Sequence, residues 1–234
     1  MKNSISLKNF RPAMLFNELR HVWLLVYWPI FGLLFNYVES VYKPARYFEM
    51  HCALDDVIPF IELFVIPYIF WFVYIAGMLA YTFFCEVSSF KKMMRFIIFT
   101  YTITLVIYFI FPTIQHLRPD VFARDNLLTR FMADFYAYDT NTNICPSLHV
   151  IGSVAVMLCA FDTKRFSTFG WKMAFGITTA IICVSTVFLK QHSVIDIFAA
   201  IPVCIAGYYI SYWLTQTANS TVILTSAVVK GKCK

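Results

Sequence analysis

The sequence predicts an all-α, polytopic membrane protein with six transmembrane helices, and three observations predict it. Hydrophobic residues make up 60% of the 234-residue chain and charged residues only 14%, and the mean hydropathy of +0.68 is far from soluble-globular usage. The apolar residues fall into six runs which, at roughly 20 residues per crossing, use up most of the chain. Lys and Arg gather in alternate connecting segments, as they do in cytoplasmic loops. A single membrane domain over residues 1–234 follows, with a basic arm at 1–21, a six-helix core at 22–215 and a tail at 216–234.

The first twenty residues carry Lys2, Lys8, Arg11 and Arg20 and are too long and polar for the start of a signal peptide, so they read as a cytoplasmic arm. The first span runs from about Val22 to Tyr37. Residues 39–62 hold Glu39, Lys43, Arg46, Glu49, His51, Asp55, Asp56 and Glu62, too many charges for hydrocarbon, and read as a loop or interfacial segment. A second span covers about Leu63 to Phe84, and a third covers Phe96 to Phe111 and ends at Pro112, where the missing N–H stops a helix. Residues 113–145 are polar and read as the longest loop. The fourth, fifth and sixth spans cover about Ser147 to Phe161, Met173 to Phe188 and Ser193 to Leu214. The seven cysteines show no CxxC pair and read as small buried hydrophobes.

Charge fixes an expected orientation. Segments 1–21, 85–95, 162–172 and 215–234 hold 13 of the 19 bases, which places them and both termini in the cytoplasm of a cell whose cytoplasmic membrane the chain crosses. Arg118, Ser147, His149, Lys190 and His192 then share the outer face. Polar side chains at the ends of apolar runs are costly unless they have a function, and these are chemically complementary. Arg118 offers a planar fork for phosphate oxygens and Lys190 a compact positive charge. Ser147, after Pro146 at a helix start, adds a hydroxyl and unpaired backbone N–H groups. His192 and Asp196, four residues apart, share a helical face, so the carboxylate orients one imidazole nitrogen and leaves the other free to attack. His149 can protonate the departing oxygen.

The segments Pro146-Ser147-Leu148-His149, Lys190-Gln191-His192 with Asp196 and upstream Ser185, and Phe111 to Pro119 around Arg118 resemble the three signatures of the type 2 phosphatidic acid phosphatase superfamily. The likeness is greatest to its membrane branch of inositol phosphorylceramide synthase-like proteins. It covers residues 112–196 and implies a six-helix bundle. It also implies Arg118 as phosphate clamp, Ser147 as hydrogen-bond donor, His149 as general acid, His192 as the nucleophile that becomes phosphorylated and Asp196 as its orienting partner. Phe111 stands where the family usually has a lysine and Thr186 where it has an arginine, and Lys190 is expected to supply part of that charge.

The expected activity is hydrolysis of a lipid phosphate ester or diphosphate. Transfer of a phospho-headgroup to an alcohol is the alternative, and non-catalytic lipid binding a third. Membrane lipids are the expected surroundings, with no nucleic-acid partner, cofactor or metal. His51, Asp55 and Asp56 supply too few oxygen ligands for a hard divalent ion and read as a solvated loop. His116 is placed near the pocket and His21 at the membrane interface.

Overall fold

The computed structural model describes residues 19–214; most of the predicted basic arm and all of the tail lie outside them. The protein is mostly helical and membrane-embedded. A 3-10 stretch (Arg20–Val26) runs into α1 (Tyr27–Ser40), followed by a short strand β1 (Phe48–Glu49) and a short helix α2 (Ala53–Val57). Helices α3 (Val65–Cys85) and α4 (Val87–Ile110) meet at Glu86, and β2 (Thr113–Ile114) pairs in parallel with β1, Phe48 opposite Thr113. Then come α5 (Leu127–Tyr138), α6 (Leu148–Asp162), α7 (Phe169–Phe188) and α8 (Val194–Tyr208), the last continued by a π-helical turn, Tyr209–Trp213.

Five helical segments are long and apolar enough to cross a membrane: Arg20–Ser40, Glu62–Cys85, Val87–Ile110, Phe169–Phe188 and Val194–Trp213. At 1.5 Å per residue each reaches about 30 Å, the thickness of the hydrocarbon core. Their outer faces carry exposed Leu33, Ile66, Val73, Ile110, Phe169 and Ile205, a surface that suits lipid and not water. Helix α6 differs: its 15 residues span only about 22 Å, and α3, α4, α7 and α8 surround it. Small residues let it sit there, since helices in lipid associate by close packing. A Cβ added at Gly152 would lie 2.6 Å from the Tyr101 hydroxyl and 2.7 Å from Ile75. Gly152→Ala is therefore expected to destabilise the protein by about 1–3 kcal/mol, read as a lower unfolding temperature in detergent.

The helices alternate in direction, so the ends sort into two groups. At one end Asp162 accepts hydrogen bonds from Ser89 and from Lys92 at 2.6 Å, and the Glu86 carboxylate accepts from the Lys164 amide. At the other, the Tyr108 hydroxyl donates to the Pro146 carbonyl at 2.8 Å and Phe64 stacks on Phe188. The second end carries the predicted site.

Four expectations change. Residues 113–145 are not a plain loop: Asn126 caps α5 by accepting from the Leu128 and Thr129 amides, an Asn N-cap that polar composition hid. Helix α4 begins at Val87, so Lys91, Lys92 and Arg95 lie in its opening turns and not in a loop. His21 is buried against Phe83 and Phe90, its Nε2 3.3 Å from the Phe83 carbonyl, and so packs inside the protein. His51 does pair with exposed Asp56, but Asp55 and Asp56 stand on α2, and Asp55 is 1% exposed and braces the site described next.

Candidate functional site

Three chain segments bring the histidines together. The turn between α7 and α8 folds back onto α7, the amides of Gln191 and His192 both donating to the Thr186 carbonyl, and Lys190 takes a left-handed conformation (φ 51°) to close it. Ser193 caps α8 by accepting from the Ile195 amide, while Asp196 accepts from the Ser193 amide at 3.0 Å. This reciprocal cap fixes the first turn of α8 and points the Asp196 carboxylate at His192, whose Nδ1 is 3.1 Å from Asp196 Oδ2. Holding the proton on Nδ1 leaves the Nε2 lone pair free.

His149, on the first turn of α6, is held between two aromatic faces of α3. Tyr68 stacks on its ring at 4.3 Å between centroids and Trp71 lies at 4.3 Å on a tilted approach. The Trp71 indole N–H also donates to the His149 carbonyl at 3.0 Å. The two imidazoles are 5.9 Å apart, edge to face, close enough to share one bound group. Ser147 is the N-cap of α6: fully buried, its hydroxyl oxygen accepts from the Val150 amide and its own amide donates to the Asp196 carbonyl at 3.3 Å.

The two cationic residues sit differently from expectation. Arg118 is a brace. Its guanidinium donates to the carbonyls of Tyr136, Asp139 and Thr140 and to Gln191 Oε1 at 2.6 Å, and lies 4.5 Å over the Tyr136 ring. Burial lowers its pKa, and nearby Asp139 offsets part of that. Lys190 donates from Nζ to the Asp55 carbonyl at 2.6 Å. Neither lines the cavity that His149 and His192 border. Exposed His116 does not line it either.

That cavity, of about 630 Å³, is mixed at one end and apolar along its length. Around the histidines stand Glu39, Asp139, Asn143 and Gln191; beyond them the walls are aromatic and aliphatic side chains of α1, α3 and α4. Several buried polar atoms here have no hydrogen-bond partner among the described residues: His149 Nε2, Gln191 Nε2, Tyr68 Oη, Arg118 Nε and Asn143 Oδ1. Most are donors, and buried donors are normally paired. Among the described residues no group of three or more His, Cys, Asp or Glu could hold a metal ion.

Residues that the motifs did not single out complete the site. Asp55, from α2, accepts from the Ser193 hydroxyl at 2.5 Å and from the Val194 amide at 2.9 Å. Gln115 donates to the Lys190 carbonyl at 2.9 Å and so supports the same turn. Tyr68 and Trp71 are three residues apart on an apolar helix, and only that helical spacing hinted that they share a face.

No family model, no curated protein and no solved structure matches this chain.

Proposed function

We propose that the protein cleaves a phosphate ester or diphosphate of a lipid, with a phosphohistidine intermediate formed on His192. The observation that carries this reading is the pairing of an Asp-oriented histidine with a second, ring-clamped histidine at the mouth of an apolar cavity. A histidine-bearing mouth suits a phosphate headgroup and an apolar cavity suits a hydrocarbon tail. The partnerless donors that border the cavity, on His149 and Gln191, are what the oxygens of an anion would satisfy.

The chemistry follows from the geometry. His192 Nε2 attacks phosphorus as the P–O bond to the leaving group breaks, and His149 gives that oxygen a proton. Asp196 stabilises the positive charge that develops on His192 through the Nδ1 hydrogen bond. Water then attacks the phosphohistidine, His149 takes a proton from it, the P–N electron pair returns to Nε2 and phosphate leaves. The Gln191 amide, which borders the cavity, stabilises the growing negative charge on the phosphoryl oxygens. In this reading Arg118 acts by holding Gln191. Ser147 positions His149, and Lys190 fixes the turn that carries His192 in place of clamping phosphate.

The resemblance to the type 2 phosphatidic acid phosphatase superfamily agrees with this reading. It supplies α6 as the sixth crossing of a six-helix bundle. In this reading the basic residues of the opposite end, Lys91, Lys92, Arg95, Lys164 and Arg165, face the cytoplasm and the histidines the extracytoplasmic side. A second reading is favoured by Glu39 and Asp139 at the mouth, whose carboxylates can accept from the hydroxyls of an alcohol: that alcohol replaces water and receives the phosphoryl group. Purified protein incubated with labelled lipid phosphates in chelator, with and without a polyol, separates the outcomes. Free phosphate marks the hydrolase and a phosphorylated polyol the transferase. Tight binding without turnover marks a lipid-binding protein and overturns both.

Asp139 gives the site a pH dependence. Burial raises its pKa above the ordinary 3.8, with Arg118 and His192 pulling it back down. Its negative charge therefore appears only as pH rises through the elevated value, and that charge opposes an anion. Affinity for a non-hydrolysable alkyl phosphonate should fall across this rise. Asp139→Asn should flatten the profile and tighten binding at neutral pH by roughly threefold to tenfold, as expected for removing one nearby like charge.

A further inference from the structure

We infer that the cleft between α1 and α3 holds the hydrocarbon chain of the substrate inside the protein, lying lengthwise from the histidines towards Leu25. The inference rests on the reading of the histidines as a phosphate site and adds the substrate's tail to it. The cavity continues unbroken from His149 and His192 past Phe35, Gly32 and Trp28 on α1 and Ile75 and Leu79 on α3. From Glu39 at the mouth to Leu25 the α1 wall runs about 21 Å, whereas one leaflet of hydrocarbon is about 15 Å deep. The slot is thus long enough to take a whole lipid chain whose phosphate stays at headgroup level.

Two further observations point to a chain and not to packing that fell short. Helix α1 leans on α4 rather than on α3, so the cleft is open to the bilayer along its side, where Phe72 and Ala76 are exposed and line it. Gly32, midway along α1, faces this cleft, and a Cβ there would meet nothing within 4 Å. The absence of a side chain at that point keeps the slot continuous. Walls that are mostly apolar, with the carboxylates, imidazoles and amides gathered at one end, match one class of ligand, an amphiphile with a phosphate head and a linear tail.

The test uses a hexadecyl phosphonate carrying a photoreactive diazirine at the end of its chain, bound to the full-length protein in detergent, with labelled residues mapped by mass spectrometry. Labelling is expected at the far end of the slot, around Leu25, Trp28 and Leu79. Gly32→Leu should cut it by about tenfold, equivalent to the loss of one good apolar contact surface, and should penalise hexadecyl over octyl phosphonate. Gly77→Leu serves as control: it lies on α3, has equally open space around its Cβ and does not line the cavity, so it should leave labelling intact. Labelling spread over lipid-facing Leu33 and Val73, or equal loss in both variants, overturns the inference. The phosphonate needs no turnover, so slot labelling without hydrolysis of any lipid phosphate would sink the catalytic reading alone. Hydrolysis without slot labelling would sink this one alone.

Discussion

His192→Ala is expected to remove lipid-phosphate cleavage by about 10⁴-fold or more, the scale seen when a nucleophile that works as a unit with its partners is deleted. The same variant should carry no phosphoryl label after acid-free quenching, whereas the unaltered protein mixed with labelled substrate should give a base-stable, acid-labile phosphoprotein. The expectation follows from position. His192 alone among the titratable groups at the mouth has a carboxylate on Nδ1, which frees Nε2 for attack, while His149 presents a buried nitrogen with no acidic partner. The fold should survive, because Asp196 keeps its hydrogen bond from the Ser193 amide when the imidazole is gone. An unchanged melting temperature beside lost turnover separates chemistry from unfolding. Full turnover in His192→Ala would end the phosphohistidine proposal.

Much of this arrangement was legible in the sequence, for physical reasons that differ from residue to residue. Apolar runs of the right length report membrane crossings directly, so α1, α3, α7 and α8 emerge near their expected positions, and α4 does so at its C-terminal end. His192 and Asp196 do meet, but not on one helical face: His192 lies in the turn before α8, and the cap between Ser193 and Asp196 turns the carboxylate onto it; the Pro-Ser pair marks the start of α6. What could not be read is which long-range partner each polar group finds. Arg118 and Lys190 are both expected to hold phosphate, yet one meets three carbonyl oxygens and Gln191, and the other the carbonyl of Asp55. Charge patterning states that a group is near the surface and not which acceptor it satisfies. For the same reason α5 was invisible inside a polar stretch: its amphipathic face packs Met132 against Tyr68 and Leu189, a burial that depends on elements distant in the chain.

Asp55→Ala is expected to be the most damaging substitution outside the histidine pair, costing about 3 kcal/mol by stranding buried donors. Its carboxylate accepts from the Cys52 amide, the Ser193 hydroxyl and the Val194 amide, and so ties α2 to the first turn of α8. Burial alone would raise its pKa, but these hydrogen bonds outweigh it and hold the group below its ordinary 3.8. A carboxyl depressed on folding stabilises the folded state at pH values above its unfolded pKa, and that contribution disappears as pH falls through the folded value. Unaltered protein should therefore lose unfolding temperature in strong acid, and Asp55→Ala should already be low at neutral pH with less left to lose. The consequence for the site is specific. Ser193 directly follows His192 and supplies the amide that orients Asp196, so releasing α2 loosens both partners of the nucleophile, and phosphonate affinity should drop together with the melting temperature. If Asp55→Ala melted and bound phosphonate like the unaltered protein, α2 would be an ornament of the loop and the histidine turn would owe its shape to α7 and Gln115 alone.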